Sequence, residues 1–149
     1  MRIVDTVGAV LNHKGSKVWT IPADATVFEA IRLMAEKNIG ALLVIDGGRL
    51  NGVFSERDYT RKVALQGRSS KETLVGEVIS DRVIAATPKD TIEACMRLMT
   101  ENRIRHLPVL DGDKVVGIVS IGDLVNWVIS VQAVAIGQLE SYIAGSYPG

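Results

Sequence analysis

The chain has 149 residues, 47% hydrophobic and 23% charged, with 17 basic side chains balancing 17 acidic ones. That balance excludes a whole-molecule field of the kind that gathers nucleic acid or anionic membrane. The length suits one domain or two joined halves, enough to bury about 70% of the unfolded surface without help from a metal or disulfide.

The single cysteine, Cys95, has no partner for an internal disulfide, so a reducing, cytoplasmic setting is expected. The N-terminus carries no long apolar signal region. The longest apolar stretch, Leu124 to Gly137, is broken by Asn126, Ser130 and Gln132 and falls short of the ~20 residues that span a bilayer. A soluble chain is expected.

In chain order, Thr6 to Leu11 read as a short leader helix, followed by a polar loop from Asn12 to Lys17 and a strand from Val18 to Ile21 that stops at Pro22. Thr26 and Glu29 have capping-box spacing and open a helix with Val27, Ala30, Ile31 and Met34 on one face. The unbroken apolar run Ala41 to Ile45 reads as a strand covered on both faces. Asp46-Gly47-Gly48-Arg49 is a turn, Leu50 to Phe54 the paired strand, and Ser55 the start of a helix running to a Gly67 stop. Arg68 to Glu72 is a polar linker.

The order then repeats: leader Val75 to Ile79, strand Val83 to Ala86, helix from Asp90 or Thr91 to Asn102, strand His106 to Leu110, a turn, strand Val115 to Val119, and a helix from Ser120. That last helix runs on through Trp127, Val131, Val134 and Leu139 to Tyr142. Its bulky apolar groups suggest a dimer-forming or partner-docking element; the alternative is packing on its own domain. Cys95 lies on an apolar helix face with Ile92, Met96 and Met99, as a buried structural thiol would. Trp19 is read as strand-edge packing, with contact to a ligand base as the other option.

The repeat is a matter of identity as well as order. Between 23–59 and 88–124, 13 of 37 residue pairs are identical at a constant shift of 65 with no gap. The sharpest copy is Gly52-Val53-Phe54-Ser55-Glu56-Arg57-Asp58 against Gly117-Ile118-Val119-Ser120-Ile121-Gly122-Asp123. Glycine leaves room for close approach to the last strand. A serine at a helix start sits among free N–H groups that favour anionic or polar ligand atoms. An aspartate three residues on can accept two hydrogen bonds, as a ribose diol requires. The plainer reading is a helix cap, serine and aspartate satisfying the helix terminus between them.

The strand-helix-strand-strand-helix unit, its leader helix and the Gly-apolar-apolar-Ser-x-x-Asp ending resemble the cystathionine-β-synthase (CBS) domain, and two in tandem resemble a CBS pair, or Bateman module. The resemblance runs from Val7 to about Val128. It implies an α/β (α+β) fold of two β-α-β-β-α units related by a pseudo-two-fold axis: repeat 1 over 7–66, a linker over 67–74, repeat 2 over 75–130, and a helical extension and tail over 131–149. It further implies a small stand-alone regulatory protein binding AMP, ADP, ATP or NAD between the units, commonly as a homodimer, and acting on an effector protein not encoded here.

Carried over residue by residue, the resemblance gives two sites. The first joins Ser55, Arg57 and Asp58 with Val83, Ile84, Arg105 and His106. The second joins Ser120, Gly122 and Asp123 with Lys17, Val18, Gly40 and Ala41. Arg57, Arg105 and His106 stand near the expected phosphate position, and guanidinium groups suit phosphate. Gly122, Gly40 and Ala41 replace them at the second site, so the first is expected to hold a phosphate-bearing ligand more tightly. As plainer alternatives, His106 is a hydrogen-bonded structural group, and Arg103 and Arg105 are solvated charges.

The competing function is an interaction scaffold without nucleotide response. Catalysis finds no support: no nucleophile stands beside a base, no His/Cys set has metal spacing, and no P-loop occurs. Arg61-Lys62 and Arg68 to Lys71 form only a modest basic cluster, so nucleic-acid binding is not expected.

Overall fold

Two threonines set the frame. Thr26 Oγ1 accepts from the Glu29 backbone N–H at 3.1 Å, and Thr91 Oγ1 from that of Ala94 at 3.1 Å; these caps start equivalent helices of 11 residues, α2 (Val27–Lys37) and α5 (Ile92–Asn102). Both end on a residue in the left-handed region, Asn38 at φ 55° and Arg103 at φ 54°. The computed structural model describes residues 5–15, 17–80 and 82–143. The remaining elements are α1 (Val7–Lys14), β1 (Thr20–Ile21), β2 (Ala41–Asp46), β3 (Arg49–Ser55), α3 (Glu56–Tyr59), α4 (Val75–Val78), β4 (His106–Asp111), β5 (Lys114–Ser120) and α6 (Ile121–Ile143).

Each half builds a small sheet around an antiparallel hairpin, β2–β3 and β4–β5, with a register shift at the matching place in both. The sheets differ in their parallel strand. β1 pairs with β2 through Thr20 and Ile21, whereas the strand expected over Val83 to Ala86 is reduced to one bridge between Ala86 and Val109. The cause is Pro108. Leu43 donates its backbone N–H to the Trp19 carbonyl at 3.1 Å, and Pro108, 65 positions on, has no N–H to give. β1 is itself shorter than the expected Val18 to Ile21, because Val18 and Trp19 precede the paired stretch.

Two further differences follow from local chemistry. α1 does not end at Leu11 but continues to Lys14, closed by Gly15 at φ 100°. The helix after Ser55 turns from α to π over Thr60–Ala64 before its Gly67 stop. α6 runs on as expected. Leu124, Trp127 and Val128 pack into the second core, and Trp127 donates to Asp5 at 2.9 Å and stands edge-on to His13. Beyond them, Ile129, Val134 and Ile136 are each more than half exposed. Leu139 and Tyr142, expected on the same helix, lie outside the residues whose side chains are described, and the tail from 144 lies outside the described residues altogether.

There are two cores, and the leaders are exchanged between them. Val7, Val10 and Leu11 of α1 are buried with Ile92, Leu107 and Val119 of the second half. Val75 and Val78 of α4 are buried with Val27, Leu42 and Phe54 of the first. Backbone bonds repeat the exchange: Val7 N–H to the Asp90 carbonyl and Gly8 N–H to that of Pro88, against Val75 to Ala25 and Gly76 to Ala23, all 2.8–3.0 Å. The units of sequence are therefore not the units of packing. Each leader seals the other repeat, and each fully buried aliphatic side chain contributes about 1.5–3 kcal/mol to that seal.

Candidate functional site

The Ser-x-x-Asp motif is a helix cap in both copies. Asp58 Oδ2 accepts from the Ser55 backbone N–H at 2.9 Å and from Ser55 Oγ at 3.0 Å, while Ser55 Oγ accepts from the Asp58 N–H at 3.2 Å. Asp123 Oδ2 accepts from the Ser120 N–H at 2.8 Å, and Ser120 Oγ from the Asp123 N–H at 3.1 Å. The plainer reading is thus realised, yet it does not exhaust the aspartate. A carboxylate offers about four acceptor positions, and the other oxygen of Asp58, Oδ1, faces Lys62 Nζ at 3.3 Å.

The glycine of the motif serves a different purpose from the one expected. A Cβ on Gly117 would stand 2.7 Å from Leu11 Cδ2, and one on Gly52 would stand 3.2 Å from Ile79 Cδ1. What approaches the strand so closely is the exchanged leader. Gly52 also borders the cleft.

That cleft, about 940 Å³, is lined from both halves. The structure brings together in it Ser55, Arg57, Asp58, Val83, Ile84, Arg105 and His106, every residue of the first expected site. It adds Glu56, Arg61, Lys62, Arg82 and Arg103, which the sequence reading did not place there. Arg57 Nη1 donates to the Arg103 carbonyl at 3.3 Å and ties the halves together. Six cationic side chains, Arg57, Arg61, Lys62, Arg82, Arg103 and Arg105, thereby face two carboxylates, Glu56 and Asp58, in a chain of net charge zero. Such concentration in a concave, low-dielectric site focuses a positive potential. The volume lies near the upper end of the ~300–1,000 Å³ usual for small-molecule sites.

His106 does not add to this charge. It is held below the ordinary imidazole value of 6.5, first by burial and then by the nearby Lys14 cation, with Asp123 and Glu56 pulling the other way. The imidazole is therefore neutral at pH 7, a hydrogen-bonding group rather than a cationic partner for phosphate.

The second expected set is less complete. Ser120 and Asp123 share the cap, and Ser120 is paired with His106 across β4–β5. Gly40 lies against His106 and Glu56, borders the first cleft, and its carbonyl accepts from the Glu56 N–H at 3.1 Å. Ala41 is buried and paired with Ser55, and exposed Gly122 follows Ser120. Val18 is half-buried. Lys17 stacks over the Trp19 ring at 4.6 Å, as does Lys37, which places Trp19 in packing. The lysine beside Asp123 is Lys14, with Nζ 2.5 Å from Oδ2. A spacing carried the signal: from leader start to helix start is 20 positions in the first half (Val7 to Val27) and 17 in the second (Val75 to Ile92). The three extra residues are about one helical turn, and α1 uses them to carry Lys14 to Asp123.

Cys95 is buried, with its thiol pushed up to about 11 by burial and by Asp90. Among the described residues no His, Cys, Asp and Glu cluster has the makings of a metal site, and no helix is long and apolar enough to cross a membrane.

Comparison with known proteins gives the CBS domain, matched twice, over residues 7–65 and 75–130. The chain is 40% identical to the mitochondrial CBS domain-containing protein CBSX3 of Arabidopsis thaliana, over 95% of this chain and 73% of that one. It is 34% identical to the CBS domain-containing protein YhcV of Bacillus subtilis, over 94% and 92%. A solved CBS-domain protein from Burkholderia ambifaria superposes with a TM-score of 0.80 at 51% identity, covering 84% of this chain and 94% of that one. The fold alone is shared with the CBS pair of protein MJ0100, at 22% identity and a TM-score of 0.74, over 85% and 98%. A family match over most of the chain, made twice and in the order of the repeat, means that the chain belongs to the CBS-domain family, as a tandem pair.

Proposed function

We propose that the chain is a regulatory module whose first cleft binds an adenine nucleotide and whose response is passed to a partner protein. The observation that carries this reading is the cleft's composition: Asp58 at one helix start, apolar Val83 and Ile84 beside it, and six cations around them. An aspartate suits a ribose diol, apolar backbone a base, and guanidinium groups a phosphate chain. The excess of cations favours ligands in the order ATP, ADP, AMP, with NAD, of lower net charge, below ATP. The MJ0100 pair was solved with 5′-methylthioadenosine and S-adenosyl-L-methionine; the cations here disfavour the latter, whose sulfonium is positive.

Calorimetry tests the reading. ATP is expected to bind, and Asp58→Ala to weaken it by about tenfold or more, since a hydrogen bond to a charged group is worth ~1.5–3 kcal/mol. Failure of ATP, ADP, AMP and NAD alike at millimolar concentration overturns it.

The exposed Ile129, Val134 and Ile136 of α6 favour a second component: pairing of two copies, or docking of the effector, along that helix. Ile129→Glu with Val134→Glu is expected to lower the sedimentation mass of a dimer to that of one chain. A variant that still sediments as a dimer places the interface elsewhere.

A further inference from the structure

The second expected site, around Ser120 and Asp123, differs from the first cleft in what meets its acceptors: the lysine on Asp58 is Lys62, four residues on, whereas the lysine on Asp123 comes from α1. Lys14 Nζ donates to the Ile118 carbonyl at 2.8 Å and to Asp123 Oδ2 at 2.5 Å. The equivalents of these two acceptors in the first half, 65 positions earlier, are Val53 and Asp58, and both line the large cleft. One ammonium thus covers, in the second half, the pair of groups that borders the binding space in the first. It does so from α1, an element exchanged from the other repeat, and by virtue of the extra helical turn that α4 lacks. The contact is only partly shielded, with side-chain exposures of 33% and 25%, so it can be displaced by solvent or by a competing ligand.

We infer that Lys14 is a built-in occupant of the second expected site, a latch that confines nucleotide to the first cleft by setting a cation on the Ile118 carbonyl and on the cap oxygen of Asp123, where a ribose would approach. The inference rests on the reading of the first cleft as a nucleotide site. Without the latch, the second site suits a nucleoside carrying few phosphates, because Gly122 and Gly40 stand where the first has Arg57 and Arg105. Lys14 neither lines the first cleft nor is buried in a core, so its replacement removes no group from either and reaches the first cleft only through its charge on His106.

The test counts AMP bound per chain, by calorimetry on the full-length protein. Wild type is expected to bind one AMP and Lys14→Met two. Asp58→Ala disables the first cleft and is expected to bind AMP at least tenfold more weakly than wild type. Adding Lys14→Met to Asp58→Ala is expected to recover binding, now at the second site. One AMP in both wild type and Lys14→Met, two AMP in wild type, or no recovery in the double variant each overturns the latch while leaving the first cleft's role standing. No AMP bound by any of them removes both. An ion pair of purely structural value would change the melting temperature without changing the count.

Discussion

The two Ser-x-x-Asp sites are copies in sequence and differ in what surrounds them. Both hold a serine–aspartate cap at the same register of the same hairpin. The first is lined by six cations and a neutral histidine, with Lys62 of its own helix on Asp58; the second has glycine at the places of two of those arginines and, on Asp123, a lysine from the exchanged leader. Both copies keep the part of the motif that the fold itself requires, since the free N–H groups of a helix start need partners. Around that cap the two copies diverge. Symmetry in a repeat is therefore evidence about folding, and its loss is evidence about function.

The comparison can be pressed first through the cores. Phe54 is fully buried in the first, where Val119 sits in the second. Phe54→Ala is expected to cost about 3–5 kcal/mol, and Val119→Ala, which removes far less volume, clearly less. Urea denaturation checks the order, and equal costs mean that the first core can collapse around the gap.

The exchanged leaders come next. Gly117→Ala drives its methyl into Leu11, at 2.7 and 3.0 Å from both Cδ atoms, whereas Gly52→Ala meets one flexible Ile79 terminus at 3.2 Å. Overpacking of this kind costs about 1–3 kcal/mol where the neighbour cannot yield. The melting temperature of Gly117→Ala is expected to fall more than that of Gly52→Ala. The reverse order means that Leu11 has room to move and the leader contact is loose.

The smallest effect lies at His106. A depressed imidazole pKa leaves the unfolded chain binding more protons between that value and the ordinary 6.5. Stability is thus full above 6.5 and is lost as pH falls through the depressed value. Lys14→Met removes one of the causes of the depression, so the NMR titration midpoint of His106 is expected to move up. An unchanged midpoint places Lys14 away from the histidine.

What was legible in the sequence was local. The hairpins, both Thr-capped helices, the buried run from Ala41 and the Ser-x-x-Asp caps all depend on residues within a few positions of one another. The cleft's far wall became legible only through the family resemblance, which supplied Val83, Ile84 and Arg105. The leader exchange was not, because Leu11 meets Gly117 across more than a hundred positions and no periodicity records that distance. Lys14 was missed for the same reason: the family resemblance supplied Lys17 to the second site, and the three extra residues of the first leader put Lys14 there instead. Pro108 was visible, but its cost to the parallel strand needed the Leu43–Trp19 bond as a template.

The leader exchange also sets an order on synthesis. As the chain leaves the ribosome, the first core cannot be sealed until Val78 has emerged, well past the end of its own repeat. α1 has no apolar surface of its own core to cover until α5, β4 and β5 follow, so its Val7, Val10 and Leu11 wait longest for shelter. A chain halted near the linker therefore holds two unfinished cores rather than one finished domain, and its two halves are bound to mature together.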